Sequence, residues 1–174
     1  MIKPEHKINN RFSSAFSEFF YDQVVTTRGV FVILFSGSGI FRIYLPGSIP
    51  REEHRHQRLP WQQLCEDLNI YFAGKMVNWD QYPLDTTGYR PFTAAILDQV
   101  RRIPYGRVFT YRETAERAGF PLAWRAAGQA LKANRHPIMV PCHRVVTSGI
   151  GIGGFSGPPG WKKMLLELER DKKI

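Results

Sequence analysis

Two neighbouring residues, Cys142 and His143, carry side chains that can do covalent chemistry together. They lie in the segment Ile138-Met139-Val140-Pro141-Cys142-His143-Arg144-Val145-Val146. Its apolar opening, 138–140, reads as a strand that delivers a cysteine at its end, directly after a proline. A free thiol titrates near pH 8.5 (about that value in model peptides), so only a few per cent is thiolate at neutral pH. A nearby imidazole can take the proton as the sulfur attacks. Neighbouring side chains on an extended chain point in opposite directions. Cys142 and His143 therefore cooperate only if the chain turns there, or if a water links them. An acid must then orient the imidazole, and the residue types alone leave several candidates. A bare Cys-His pair is more often a buried strand cysteine beside a surface histidine.

The elements that must position this pair fall into two groups. Residues 19–26, 30–35 and 40–45 are rich in β-branched and aromatic side chains. Turn signals separate them at Arg28-Gly29 and at Ser36-Gly37-Ser38-Gly39, which predicts an antiparallel meander. Residues 51–58 read as a polar, charged loop. Pro60 can open a helix over 61–73, with Leu64, Leu68 and Phe72 at helical spacing and Gly74 to end it. Cys65 belongs to that helix as a packed thiol. His54 and His56 have no cysteine nearby to complete a zinc site. Residues 80–90 read as a linker. A helix then runs from Pro91 to about 102, with a turn at Ile103-Pro104-Tyr105-Gly106. A short extended piece over 108–110 follows. Thr110 and Glu113 fit a capping box, which predicts a helix over 111–118 stopped by Gly119. A second helix over 122–133, ended by Asn134, completes a helix-turn-helix pattern. The last helix covers 161–170.

The whole chain, 174 residues with a net charge of +9, has the size and composition of an ordinary globular protein. Residues 91–174 hold 14 Lys+Arg against 6 Asp+Glu, a net +8, so nearly all the excess charge lies in the second half. That asymmetry favours a polyanion partner there. No apolar run is long enough to span a membrane, and the opening MIKPEHKINN lacks the apolar core of a signal peptide. Two distant cysteines make neither a disulfide framework nor a paired zinc spacing, which suggests a reducing cytosol. The glycine-rich stretch 149–160 lacks the Gly-Lys-Ser/Thr ending of a phosphate loop.

From Pro91 to Glu169 the motifs together resemble the O6-alkylguanine-DNA alkyltransferases, also called methylated-DNA–protein-cysteine methyltransferases. Pro141-Cys142-His143-Arg144-Val145 is the signature of that family. Around it, in the family's order, stand Pro91-Phe92, Arg107-Val108-Phe109-Thr110-Tyr111 and Trp124-Arg125-Ala126-Ala127-Gly128. Asn134, Gly153-Gly154-Phe155-Ser156-Gly157 and Leu165-Leu166-Glu167-Leu168-Glu169 complete the series. The resemblance implies an α/β (α+β) protein. Residues 1–85 would form a small antiparallel-sheet domain with a helix, ribonuclease H-like. Residues 86–174 would form a mainly helical domain with the helix-turn-helix and an active-site strand or turn.

The resemblance also implies roles. Cys142 is the expected alkyl acceptor, His143 its base through water, Glu169 the acid behind His143, and Asn134 the brace of their turn. Tyr111 is expected to help rotate a nucleotide outwards and Arg125 to fill the gap in the stack. Ala126, Ala127, Gly128 and Arg144 complete the expected DNA-binding set. Leu131, Val145, Ile152, Phe155, Ser156, Gly157 and Lys162 are the expected walls of a base pocket. The implied partner is double-stranded DNA carrying O6-alkylguanine, with O4-alkylthymine as a further substrate. The resemblance implies single-turnover transfer after base flipping by a monomer without cofactor or metal. The setting would be the prokaryotic cytosol, or the nucleus of a eukaryote.

Base flipping has an independent physical reason. O6 faces its pairing partner inside the duplex, where no protein sulfur can line up behind the alkyl carbon. The sequence departs from the family where Phe155 replaces a frequent tyrosine, which keeps stacking but removes a hydrogen-bond donor. A non-catalytic damage sensor of this family lacks the acceptor thiol, so Cys142 argues against that reading. A Cys-His hydrolase needs an oxyanion hole, and a plain transcription factor has no use for Cys142.

Overall fold

The computed structural model describes residues 18–48 and 54–170, so the opening decapeptide and residues 51–53 of the charged loop lie outside the described residues. The meander forms as the sequence predicts. Strands β1 (Phe20–Thr26), β2 (Gly29–Ser36) and β3 (Gly39–Tyr44) pair antiparallel in consecutive order, with a bulge between Leu34 and Phe35. Alternation along β2 sends Phe31, Ile33 and Phe35 into one core. Helix α1 (Leu64–Phe72) covers that face with Leu64, Leu68, Tyr71 and Phe72, the i, i+4, i+7, i+8 stripe of a half-buried helix. It starts three residues later than Trp61, and Gly74, at φ +77°, ends it. Cys65 is partly buried and donates its S–H to the Val25 carbonyl across 3.1 Å.

Two expectations fail at the margins of the sheet. Within the charged loop Arg55–His56 form a short strand, β4, parallel to β1, and His56 pairs with Asp22 at 3.3 Å. The segment 80–90 is no free linker. Ile40 N–H donates to Pro83 O and Asp85 N–H to Ile40 O, extending the sheet beyond β3. This pairing brings the Pro83 carbonyl so close that a Cβ on Gly39 would lie 2.5 Å from it. Only glycine fits there, and its φ of +136° is one that other residues rarely adopt.

The second half packs α2 (Pro91–Arg101), α3 (Tyr111–Arg117) and α4 (Trp124–Lys132) around Ile96, Leu97, Val100, Ala115, Ala127 and Leu131. Pro91 sits in the first turn of α2. The capping box at α3 forms in full, with Thr110 accepting from Glu113 N–H and Glu113 accepting from Thr110 N–H. Helix α4 starts at Trp124 and leaves Leu122 outside, almost fully exposed. Strands β5 (Phe109–Thr110) and β6 (Val145–Val146) make a two-stranded parallel pair, and α5 (Trp161–Arg170) is the last helix of the described residues. No helix among the described residues is long and apolar enough to cross a membrane.

The segment 138–140 is a turn rather than a strand. Ile138 adopts φ +77°, a strained conformation for a β-branched residue. What holds it is the first sheet. Ile43 N–H donates to Arg135 O, and the wholly buried His136 donates through Nε2 to Ile40 O at 2.9 Å. Ile138 and Met139 then sit in the sheet's own core, together with Leu165 of α5.

Burial pushes the His136 imidazole down to about 4 from its usual value near 6.5. The folded state therefore binds fewer protons than the unfolded chain between those values. Stability present above about pH 6.5 should be lost as pH falls towards 4, on the order of 3 kcal/mol in full. Denaturant unfolding of His136→Gln should show a flatter pH dependence across that window; an unchanged slope would assign it to other groups.

Candidate active site

The chain does turn at the reactive pair. After Pro141, Cys142–Arg144 form one turn of 3-10 helix, with Cys142 N–H donating to Val140 O and Arg144 N–H to Pro141 O. The turn sends Cys142 towards a pocket and His143 inwards, where it is fully buried. Asn134 braces the approach from both sides. Its Nδ2 donates to Val140 O at 2.8 Å and its Oδ1 accepts from His136 N–H at 2.9 Å.

His143 Nε2 lies 2.8 Å from Glu169 Oε1. Burial works against the Glu169 charge, but hydrogen bonds from His143 and Arg144 outweigh it and lower the carboxyl to about 2. An ionised carboxylate can only accept, so Nε2 must carry the hydrogen. Burial lowers the His143 pKa, against the pull of Glu169, and keeps the ring neutral. Its Nδ1 is then a bare lone pair, with no protein hydrogen-bond partner among the described residues. That is the state a general base needs. Burial raises the Cys142 thiol, against smaller lowering effects from Asn134 and Lys162. The cysteine therefore rests as a thiol.

Tyr111, Gly128, Leu131, Lys132, Cys142, Gly154, Phe155 and Ser156 enclose a cavity of about 130 Å³. The β5–β6 pairing explains how Tyr111 gets there: Thr110 pairs with Val146, and Tyr111 opens α3 directly beside the turn. Gly153, at φ +77°, lets the loop touch the Tyr111 hydroxyl, because a Cβ would sit 2.9 Å from it. Lys162 is buried behind the wall and donates to Val145 O at 2.6 Å and Gly154 O at 3.0 Å. Burial lowers this ammonium to about 8.

Six expected residues line the cavity: Cys142, Tyr111, Gly128, Leu131, Phe155 and Ser156. Val145 is wholly buried and Ile152 exposed, neither in the lining, and Gly157 packs against the Phe155 ring. His143, Glu169 and Asn134 are brought to Cys142 as expected. Arg125 and Ala126 are exposed on α4. Ala127 is corrected to a core residue, fully buried on the opposite side of that helix. Arg144 is corrected too. Its guanidinium is buried in a fork on Glu169, Nε to Oε2 at 2.8 Å and Nη2 to Oε1 at 2.9 Å, so it is not available to a phosphate.

Sequence reasoning gave no role to three residues. Lys132 lines the cavity. Trp124 carries the Arg125 guanidinium 4.4 Å above its ring. Tyr71, from α1, donates to Glu169 Oε1 at 2.6 Å. Trp124 stood in the quoted motif beside Arg125, and Tyr71 had a weaker signal, as a polar group three residues after Leu68 on the buried stripe.

Fold and site together set a cysteine on the wall of a small cavity within a helix-turn-helix module. Residues 91–171 match the family described as 6-O-methylguanine DNA methyltransferase, DNA binding domain. A methylated-DNA–protein-cysteine methyltransferase of Methanopyrus kandleri is 44% identical over 108 residues, 61% of this chain and 78% of that protein. One of Saccharolobus islandicus is 41% identical over 102 residues, and there the match spans 59% of this chain and 64% of the relative. The crystal structure of Mycobacterium tuberculosis OGT in complex with DNA superposes with a TM-score of 0.78 at 30% identity, covering 87% of this chain and 93% of that one. The chain belongs to the O6-methylguanine DNA methyltransferase family.

Replacing Glu169 by Gln leaves the buried Arg144 guanidinium uncompensated. It should cost roughly 3–5 kcal/mol in chemical denaturation at neutral pH. Because the folded carboxyl lies at about 2, below its ordinary 4.5, the carboxylate's contribution is full above pH 4.5 and lost as pH falls towards 2. The variant's deficit should shrink across that interval.

Proposed function

We propose that the protein repairs alkylated DNA by moving the alkyl group of O6-alkylguanine onto Cys142, with O4-alkylthymine as a second substrate. The observation that carries the reading is a thiol on the wall of a small pocket, next to a neutral histidine whose free Nδ1 is set by a buried carboxylate. The likeness to a relative crystallised with DNA and the +8 of the second half support the DNA partner.

Basic side chains of the helix-turn-helix find the phosphates, with affinity that falls as salt rises. Helix α4 enters the minor groove, a choice taken from the family resemblance. Tyr111 crowds the target nucleotide and Arg125 takes its place in the stack, so the base turns out into the cavity. The Cys142 proton passes through a water to His143 Nδ1. The sulfur attacks the alkyl carbon in line, an S–C bond forms, and the C–O6 bond breaks with its electron pair leaving on the guanine. That negative charge is met by hydrogen bonds from the Tyr111 hydroxyl and a backbone N–H near Ser156, and a proton returns to the base. The product thioether has no good leaving group, so each chain acts once. All the groups come from one chain, which makes a monomer sufficient. Residues 86–174 bind and react, and 1–85 serve as the brace behind them.

Duplex DNA with one O6-methylguanine should add one methyl mass per chain, about 14 daltons, saturating at one and absent from Cys142→Ala. Selective binding without mass gain would point instead to a damage sensor.

Arg125→Ala should slow transfer from duplex DNA tenfold or more, since flipping costs a few kcal/mol. Its transfer from a free O6-alkylated guanine base should stay within about twofold, because no stack has to be refilled. Trp124→Ala should repeat that pattern more weakly, as the ring only orients Arg125 by a cation–π contact. Equal losses on both substrates would place these two residues in the pocket's chemistry instead.

A further inference from the structure

The carboxylate behind the histidine is shared with the first half of the chain. Tyr71 of α1 is fully buried and donates its hydroxyl to Glu169 Oε1 at 2.6 Å. That oxygen also accepts from His143 Nε2 at 2.8 Å and from Arg144 Nη2 at 2.9 Å. Three donors thus converge on one carboxylate oxygen, which has two lone pairs. Oε2 takes the other two, Arg144 Nε and Gly106 N–H. The tyrosine is not needed to satisfy Glu169. It competes with His143 for the same oxygen, 3.5 Å from the histidine's Nε2.

We infer that Tyr71 is a positioning residue for the reaction: by drawing on Glu169 Oε1, it weakens that oxygen's hold on His143 and keeps the imidazole neutral, with Nδ1 free. The sign follows from electrostatics. A hydrogen-bond donor on a carboxylate withdraws the negative charge that would stabilise an imidazolium beside it. Remove the donor and His143 becomes more basic. The charged and titratable groups around the ring are few. Glu169 on α5 favours the imidazolium; Arg144 on the same turn and Lys162 on α5 oppose it. Cys142 adjoins it in sequence. Tyr105, beside Tyr71, directs its hydroxyl to Leu168 O and not to the carboxylate. Burial and the neighbouring Glu169 raise the Tyr71 phenol well above its ordinary value, so it stays protonated and remains a donor.

The rate measurement rests on the alkyl-transfer reading; the titration below does not. Single-turnover methyl transfer would be followed from about pH 5 to about pH 9 for the natural protein, Tyr71→Phe and Tyr105→Phe, with thermal melting alongside. Phenylalanine keeps the packing and deletes only the donor. One hydrogen bond to a charged group corresponds to roughly one pH unit, so the acid limb of Tyr71→Phe should move up by about that much. At the bottom of the limb its rate should fall by up to about tenfold, with little change on the plateau. Tyr105→Phe should leave the limb in place. A purely structural role would lower melting temperature or scale the rate evenly at all pH values, and that outcome overturns the inference. The His143 ring titration, read by NMR in the same proteins, should rise in Tyr71→Phe. If the natural protein transfers nothing, the function falls, and the titration alone still decides the role of Tyr71.

Discussion

The Glu169 carboxylate is the interaction on which the rest of the site depends. It is buried near the end of α5 and accepts five hydrogen bonds, from Tyr71, Gly106, His143 and the two arms of Arg144. Those donors come from α1, the turn after α2 and the Cys142–Arg144 turn. A carboxylate in such a place costs several kcal/mol of desolvation, and removing any one charged partner leaves the other stranded. Its negative charge is balanced by Arg144, so the histidine need not carry a positive one. Arg144 thus has a structural reason to be next to His143 in the sequence, and that reason excludes it from the DNA surface. The same ion fixes the histidine tautomer, the distance of α5 from the reactive turn, and the contact between the two halves of the chain.

A second constraint works on the other side of Cys142. Residues 134–141 must deliver the thiol to the pocket and immediately send the next side chain the opposite way. A strand would do this by alternation, but it would also carry His143 away from α5. The protein uses a tight turn, with Ile138 at φ +77°, and Asn134 and His136 holding it. Backbone strain of this sort costs about 1–3 kcal/mol and persists only where the surroundings over-determine it. Here the surroundings are β3 and the first core, which bury Ile138 and Met139. The first half of the chain therefore supports the nucleophile twice, through β3 at the turn and through Tyr71 at the carboxylate.

What was legible in the sequence was local. The meander and the capping box at Thr110 could be read from propensity and cap chemistry, whereas Glu169 and Asn134 joined Cys142 and His143 only through the order of the family's motifs. The errors share one cause. Residues 138–140 have the apolar, β-branched character of a strand, yet tertiary contacts from β3 impose a turn. Residues 80–90 have the glycine and proline of a linker, yet their backbone pairs with β3. Arg144 has the charge of a DNA contact, yet its partner is twenty-five residues away in sequence and adjacent only after folding. Tyr71 could not be linked to Glu169, ninety-eight residues later, by any periodicity.

The resting protonation of Cys142 fits this architecture. Reactivity of a cysteine towards stray electrophiles and oxidants follows its exposed thiolate. Burial here pushes the thiol up, and the base beside it stays neutral rather than forming a standing thiolate–imidazolium pair. The Nδ1 of His143 has no partner among the described residues and stays able to accept a proton. Lys162 adds a cation close by, but it is engaged by two backbone carbonyls and lowered to about 8, so its pull on the sulfur is tempered. Burial of both groups, against the pull of Glu169 on the imidazole and of Lys162 on the sulfur, favours the uncharged thiol and imidazole side by side.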